Sequence, residues 1–146
     1  MSKKRHGTSA LPIQHDLRWG CDVQTADRIC NHNRHYAEHS GYWKTTRFLK
    51  QESAASGVVD FYDSNSGKLL FQAPKSRTFA AFIKESTSHG WPSFRDSEVN
   101  WDEVRVLKNG EVVSLNGTHL GHNLPDKKGN RYCINLVSVA GRPLDN

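Results

Sequence analysis

Cysteine is scarce in this sequence: Cys21, Cys30 and Cys133 are the only three in 146 residues. So small and odd a number cannot build a disulfide framework, and it points to a reducing compartment. Long hydrophobic runs are missing too. None approaches the roughly 20 apolar residues of a membrane-spanning helix, so neither a span nor a membrane partner is expected. The basic start Met1-Ser2-Lys3-Lys4-Arg5-His6 is not followed by an apolar segment, so no secretory leader is expected. A cytoplasmic location is the expectation, with an organellar one kept open because the first acidic residue is Asp16. Blocks of like charge are equally rare. The net charge is +5, yet the longest basic run is Lys3-Lys4-Arg5, and without a basic stripe no nucleic-acid partner is expected.

What is present reads as one folded domain. The chain is 36% hydrophobic before its 11 glycines are counted, a normal globular content for a length that fits a single core. Residues 1–18 read as a loose basic arm and residues 19–146 as the domain, with no internal repeat. A short helix is predicted within residues 17–33. Beyond Gly57, short apolar runs alternate with turn signals, the pattern of an antiparallel β protein. Residues 58–62 and 68–71 form a hairpin around Asp63-Ser64-Asn65-Ser66-Gly67. Phe79, Phe82 and Ile83 fall at helical spacing, which predicts a helix over residues 76–88 capped by Ser76. Residues 103–107 and 111–115 flank Asn109-Gly110, a strong hairpin signal. A last strand is predicted from Arg131 to Val139, giving a mostly β fold with minor helix.

Three groups of residues could carry chemistry. In the last strand a period of two places Arg131, Cys133 and Asn135 on one face and Tyr132, Ile134 and Leu136 on the other. A guanidinium on the thiol's own face favours the thiolate, which is the nucleophile. A free cysteine is also commonly just a small buried hydrophobe. In Thr118-His119-Leu120-Gly121-His122 two imidazoles could converge through a bend at the glycine and donate or transfer a proton. They could equally be loop histidines bonded to backbone. No metal is expected there, because the helical His-Glu-x-x-His pattern is absent. In Gly90-Trp91-Pro92-Ser93-Phe94 the proline fixes the backbone beside Trp91, which could wall an apolar substrate group or belong to the core. Asn116-Gly117-Thr118 matches a glycosylation acceptor but has no secretion signal beside it.

Taken in order, these three blocks resemble the signatures of the B-type methionine sulfoxide reductases, and Glu38-His39-Ser40-Gly41-Tyr42-Trp43 loosely matches the family's N-terminal block. The resemblance covers roughly residues 41–141. It implies a β-tent of two antiparallel sheets with short N-terminal helices, and reduction of methionine-R-sulfoxide, preferably within oxidised proteins. By the resemblance Cys133 is the nucleophile, and Trp91 and Phe94 bind the substrate. His119 and His122 hold and protonate the sulfoxide oxygen, while Arg131 and Asn135 support the thiolate. A sulfoxide sulfur is a poor electrophile until its oxygen is protonated or hydrogen-bonded, so an imidazole and a thiolate side by side suit the reaction. Attack leaves a sulfenic acid on Cys133 and releases methionine.

Two departures stand out. Many relatives carry two Cys-x-x-Cys pairs that hold structural zinc, whereas Asp63-Ser64-Asn65-Ser66 and Ser114-Leu115-Asn116-Gly117 stand here, so no metal and no bound cofactor are expected. Many relatives also place a resolving cysteine where this chain has Ser88-His89. The resemblance leaves Cys30 and Cys21 as resolving candidates, with thioredoxin or another dithiol as reductant and a monomer as the state. Leu136-Val137-Ser138 replaces a small polar residue after the asparagine and is expected to alter packing rather than catalysis. The competing readings are a silent module of the same fold that binds methionine sulfoxide or peptide, and a nucleic-acid-binding β domain.

Overall fold

Phe61 is the hub of an aromatic core, with ring centroids 5.0 Å from Phe94, 5.7 Å from Trp19, 5.8 Å from Phe48 and 6.3 Å from Phe82. The computed structural model describes residues 11–32, 37–52 and 57–144. Two antiparallel sheets surround that core, as a β-tent requires. β1 (Val59–Tyr62) pairs with β2 (Leu69–Ala73). The second sheet has the order β3 (Ser93–Phe94), β7 (Tyr132–Ile134), β6 (His119–Asn123), β5 (Glu111–Ser114), β4 (Val104–Val106). Among the described residues no helix is long and apolar enough to cross a membrane.

Both predicted hairpins form for the predicted reasons. The first closes when Asp63 N–H reaches Lys68 O at 2.8 Å, and Gly67, at φ +73, passes so close to Arg142 O that a Cβ would lie 2.6 Å from it. The second turns at Gly110, φ +92, with Leu107 N–H donating to Glu111 O at 2.7 Å. Strand ends shift by one or two residues from the sequence reading, most of them inward, while β2 runs on to Ala73.

Four expectations change. The segment read as a loose arm is packed from Ile13 onward: Ile13 and Leu17 are buried, and Arg18 N–H donates to Ala140 O at 2.8 Å. Its residues 1–10 lie outside the described residues. The helix expected over residues 17–33 is broken into a 3-10 turn at Arg18–Gly20, α1 at Val23–Asp27 and a π turn at Arg28–His32, because Trp19 takes φ +59; Asn33 lies outside the described residues. Two short helices follow, α2 (Tyr42–Thr45) and α3 (Phe48–Glu52). α4 (Phe79–His89) is capped by Thr78, whose Oγ1 accepts from Ala81 N–H at 3.0 Å, and not by Ser76. It ends at Gly90 in the left-handed region, φ +91, as helix C-termini favour. Finally, the last strand stops at Ile134, and Leu136–Ser138 form a buried 3-10 turn.

Candidate active site

Strand register assembles the site. β7 lies between β3 and β6, and Cys133 faces Ser93 on one side and His122 on the other. Directly paired residues of neighbouring strands point to the same side of a sheet, so these three side chains share a face. Glu111 of β5 pairs with His122 and joins them. Regular alternation would send His119, three residues before His122, to the opposite face. The β5–β6 register slips instead: Gly121 pairs with Val112 but His119 with Val113, leaving Leu120 as an extra residue. That bulge resets the alternation and returns His119 to the face of His122. The convergence expected from a bend at Gly121 thus comes from the bulge at Leu120. Gly121 serves close packing, since a Cβ there would lie 2.0 Å from Cys133 O.

On this face the Cys133 sulfur accepts from Arg131 Nη1 at 2.7 Å and lies 3.9 Å from Ser93 Oγ. Cys133 is 9% exposed. Asp126 approaches Arg131 Nε at 3.8 Å and is itself gripped by Arg95 through bonds of 3.0 and 2.9 Å. The Arg95 guanidinium, helped by the Lys128 amide, holds the Asp126 carboxyl well below the usual carboxylate range. A fixed anion therefore stands behind the cation that faces the thiol. Buried His119 meets buried Glu111, Nδ1 to Oε2, at 2.6 Å, which orients the ring. The half-buried His122 ring lies over Gly110, where a Cβ would come within 2.6 Å of it.

Asn135 and Trp91 are tied to a segment the sequence reading matched only loosely. Asn135 N–H and Nδ2 both donate to Leu120 O, at 2.9 and 3.1 Å, so this residue fixes the bulge. Its Oδ1 accepts from Glu38 N–H at 3.1 Å, and Trp91 Nε1 donates to Glu38 O at 3.0 Å. Phe94 must be reassigned. It is fully buried, its ring is stacked on Phe71 at 4.3 Å, and it sits on the strand face opposite Ser93, so it belongs to the core and not to the substrate wall. Glu111, Glu38 and Ser93 are polar residues to which the sequence reading gave no role, although Glu38 and Ser93 stand in blocks it matched and Glu111 is an acid at the start of a mostly apolar strand.

Several curated proteins with related sequences carry the name peptide methionine sulfoxide reductase MsrB. Over 90 residues the chain is 37% identical to the peptide methionine sulfoxide reductase MsrB of Methanosarcina mazei, covering 54% of this chain and 64% of that protein. Over 95 residues it is 34% identical to the MsrB of Leifsonia xyli subsp. xyli, covering 57% and 68%. The chain belongs to the B-type methionine sulfoxide reductase family. The MsrB of Thiobacillus denitrificans is 28% identical over 112 residues, covering 68% of this chain and 84% of that protein. The chain spans a little under two thirds of the Methanosarcina mazei relative and of its Methanosarcina barkeri counterpart, at 64% and 63%. No family model matches the chain, and no solved structure does.

Among the described residues, the stretches 63–66 and 114–117 offer no thiol and do not fit a structural zinc. Where thiols would stand, Thr118 Oγ1 donates to Asp63 Oδ1 at 2.9 Å and accepts from Asn65 Nδ2 at 2.8 Å, while Thr118 N–H donates to Ser114 Oγ at 3.2 Å. A tetrahedral structural site needs four thiolate, imidazole or carboxylate ligands, and hydroxyls and amides already bonded to one another are poor substitutes. Burial raises the Asp63 carboxyl above its ordinary range, so even that ligand resists ionisation. The remaining cysteines are buried and none of the three is in a disulfide. Burial, followed by the charge of Glu38, pushes the Cys21 thiol far up, and the Cys30 thiol donates to Ser138 Oγ at 3.4 Å.

Proposed function

We propose that this chain reduces methionine-R-sulfoxide, preferentially in oxidised proteins, through Cys133. The observation that carries the reading is the 2.7 Å contact from Arg131 to the Cys133 sulfur, on a face shared with two histidines. The guanidinium offers the attacking sulfur a charge-assisted hydrogen bond. Trp91 walls the methyl group. His119, oriented by Glu111, and His122 bind the sulfoxide oxygen and supply the proton that makes the sulfur electrophilic. Attack by the thiolate transfers the oxygen: the S–O bond of the sulfoxide breaks, methionine leaves reduced, and Cys133 becomes a sulfenic acid. A second thiol condenses with it, forming a disulfide and releasing water, and a thioredoxin-like dithiol takes up the oxidising equivalents. Cys30 and Cys21 are the candidates in this chain. Both are buried, so either must leave its packing to react. No bound cofactor takes part.

Single-turnover reduction of each epimer of a labelled methionine sulfoxide tests the reading. Stoichiometric turnover of the R epimer alone, lost in Cys133→Ser, is the expected result. A folded, reduced wild type that turns over neither epimer would overturn it.

A further inference from the structure

One residue of the N-terminal block makes more ties to the site than its sequence pattern suggests. Glu38 is 3% exposed. Its backbone N–H donates to Asn135 Oδ1 at 3.1 Å and its carbonyl accepts from Trp91 Nε1 at 3.0 Å. Its carboxyl reaches further, with Oε2 accepting from Val137 N–H at 3.0 Å. The same segment is sewn down on the other side of Trp91, where Gly41 N–H donates to Gly90 O at 2.8 Å and Ser40 covers Gly90 so closely that a Cβ would lie 2.0 Å from its Oγ. The indole that walls the proposed substrate pocket and the amide that fixes the histidine-bearing bulge are thus both anchored to one residue.

A mere strut would not need a carboxyl. Burying an ionisable group costs more than burying an apolar one of similar size. In Glu38 the second oxygen, Oε1, is buried with no hydrogen-bond partner among the described residues. Among the described residues the titratable groups that face it are the Cys21 thiol, just before α1, and the Tyr42 hydroxyl of α2, both raised chiefly by burial and in lesser part by its charge. From the 3-10 turn at Leu136–Ser138 it receives only backbone amides. Arg18, which acts on the Cys21 thiol, lies against Glu52 at 3.6 Å.

We propose that Glu38 is a positioning residue for the reduction, a clip that holds the Trp91 indole and the Asn135 carboxamide in register with Cys133. The proposal rests on the reductase reading above. Burial, only partly offset by the amides of Val137 and Leu136, pushes the Glu38 carboxyl up to about 7. Neutral Glu38 fits its uncharged surroundings. Ionised Glu38 leaves a charge on an oxygen without a donor, and the segment it belongs to loosens. Substrate binding therefore weakens as pH rises through neutrality, while the chemistry at Cys133 is spared.

The test compares wild type, Glu38→Gln, Glu38→Ala and Trp91→Phe, each checked for fold by circular dichroism. Fluorescence attributable to Trp91, taken as wild type minus Trp91→Phe, is followed from about pH 5.5 to about pH 8.5 without substrate. KM and kcat for the R-sulfoxide are measured near pH 6 and near pH 8. In wild type the Trp91 signal should pass through a transition near pH 7 while KM rises on the order of tenfold and kcat changes little. Glu38→Gln keeps an acceptor for Val137 N–H and cannot ionise, so both readouts should be flat and KM should stay at its acid value. Glu38→Ala should show the high KM at every pH. A flat Trp91 signal in wild type, or a transition that survives in Glu38→Gln, overturns the clip. Absence of turnover in wild type would defeat the reductase reading, while the fluorescence would still decide the role of Glu38.

Discussion

Arg131 reaches Cys133 from two residues upstream, Nη1 to sulfur at 2.7 Å, and both side chains are buried. The cation is not free to wander. Asp126 stands 3.8 Å from its Nε, and Arg95 pins Asp126 while its Nε also donates to Glu85 at 3.1 Å. Orientation of the guanidinium therefore extends from β7 through the loop at Asp126 to α4.

Removing that guanidinium should slow the thiol. A hydrogen bond to a charged group contributes roughly 1.5–3 kcal/mol, so Arg131→Met should lower the rate of Cys133 alkylation by iodoacetamide on the order of tenfold to a hundredfold at neutral pH. Cys133→Ser supplies the background, which buried Cys21 and Cys30 keep low. An alkylation rate equal to that of wild type would show that the 2.7 Å contact has no electrostatic role.

Glu111 should matter to rate more than to fold. Its Oε2 holds His119 Nδ1 at 2.6 Å, so Glu111→Gln keeps a hydrogen-bonding group but removes the anion that stabilises a protonated ring. Single-turnover rate should fall on the order of tenfold to a hundredfold, the lower part of the range for general acid catalysis, with the melting temperature little changed. Equal losses in Glu111→Gln and in stability would make the pair structural instead.

The thiol face was legible because a strand has a period of two: Arg131 and Cys133 were placed together from sequence and meet in the structure. The histidines were legible as residue types but not as geometry. A bulge at Leu120 depends on the register with β5, which local spacing cannot encode. Phe94 was misjudged for the same reason: its neighbour Ser93 faces the thiol, and only the pairing with β7 reveals which of the two points inward. Glu38 acts through backbone bonds to residues 53 and 97 positions away, and no short-range pattern announces such contacts. The N-terminal packing of Ile13 and Leu17 was hidden by their polar neighbours.

The polar knot around Thr118 should carry stability without metal. Thr118 Oγ1 sits between Asp63 and Asn65, both buried. Thr118→Val keeps the shape and removes both side-chain hydrogen bonds, at a cost of about 1–3 kcal/mol. The melting temperature should drop by roughly 5 °C or more for a domain of this size. Chelator should leave the wild-type melting curve unmoved. A full equivalent of zinc in purified protein, or a chelator-induced drop, would contradict this account.

Gly121 tests the close approach of β6 to β7. A Cβ at this position would lie 2.0 Å from Cys133 O and 3.0 Å from the Ile134 Cα, all of it backbone that cannot swing aside. Gly121→Ala must therefore separate the two strands that set His122 opposite Cys133. Loss of activity together with a lowered melting temperature is expected. A variant as stable and as active as wild type would mean that the sheet tolerates a different spacing.

The Glu38 carboxyl also links folding to pH. Its value in the folded chain, about 7, lies above its ordinary 4.5, so the native state holds a proton that the unfolded chain has already released between those limits. Stability from this group is thus present in full below about pH 4.5 and is lost as pH rises through about 7. The loss is on the order of 3 kcal/mol once the carboxylate is fully ionised. Glu38→Gln cannot ionise, so its melting temperature relative to wild type should climb between about pH 5 and about pH 8, then level off, the total gain being on the order of 5–10 °C. All other titrating groups are common to the two proteins and cancel in the difference. A difference in melting temperature that stays constant across this range would mean that Glu38 is already ionised in the folded chain at acid pH.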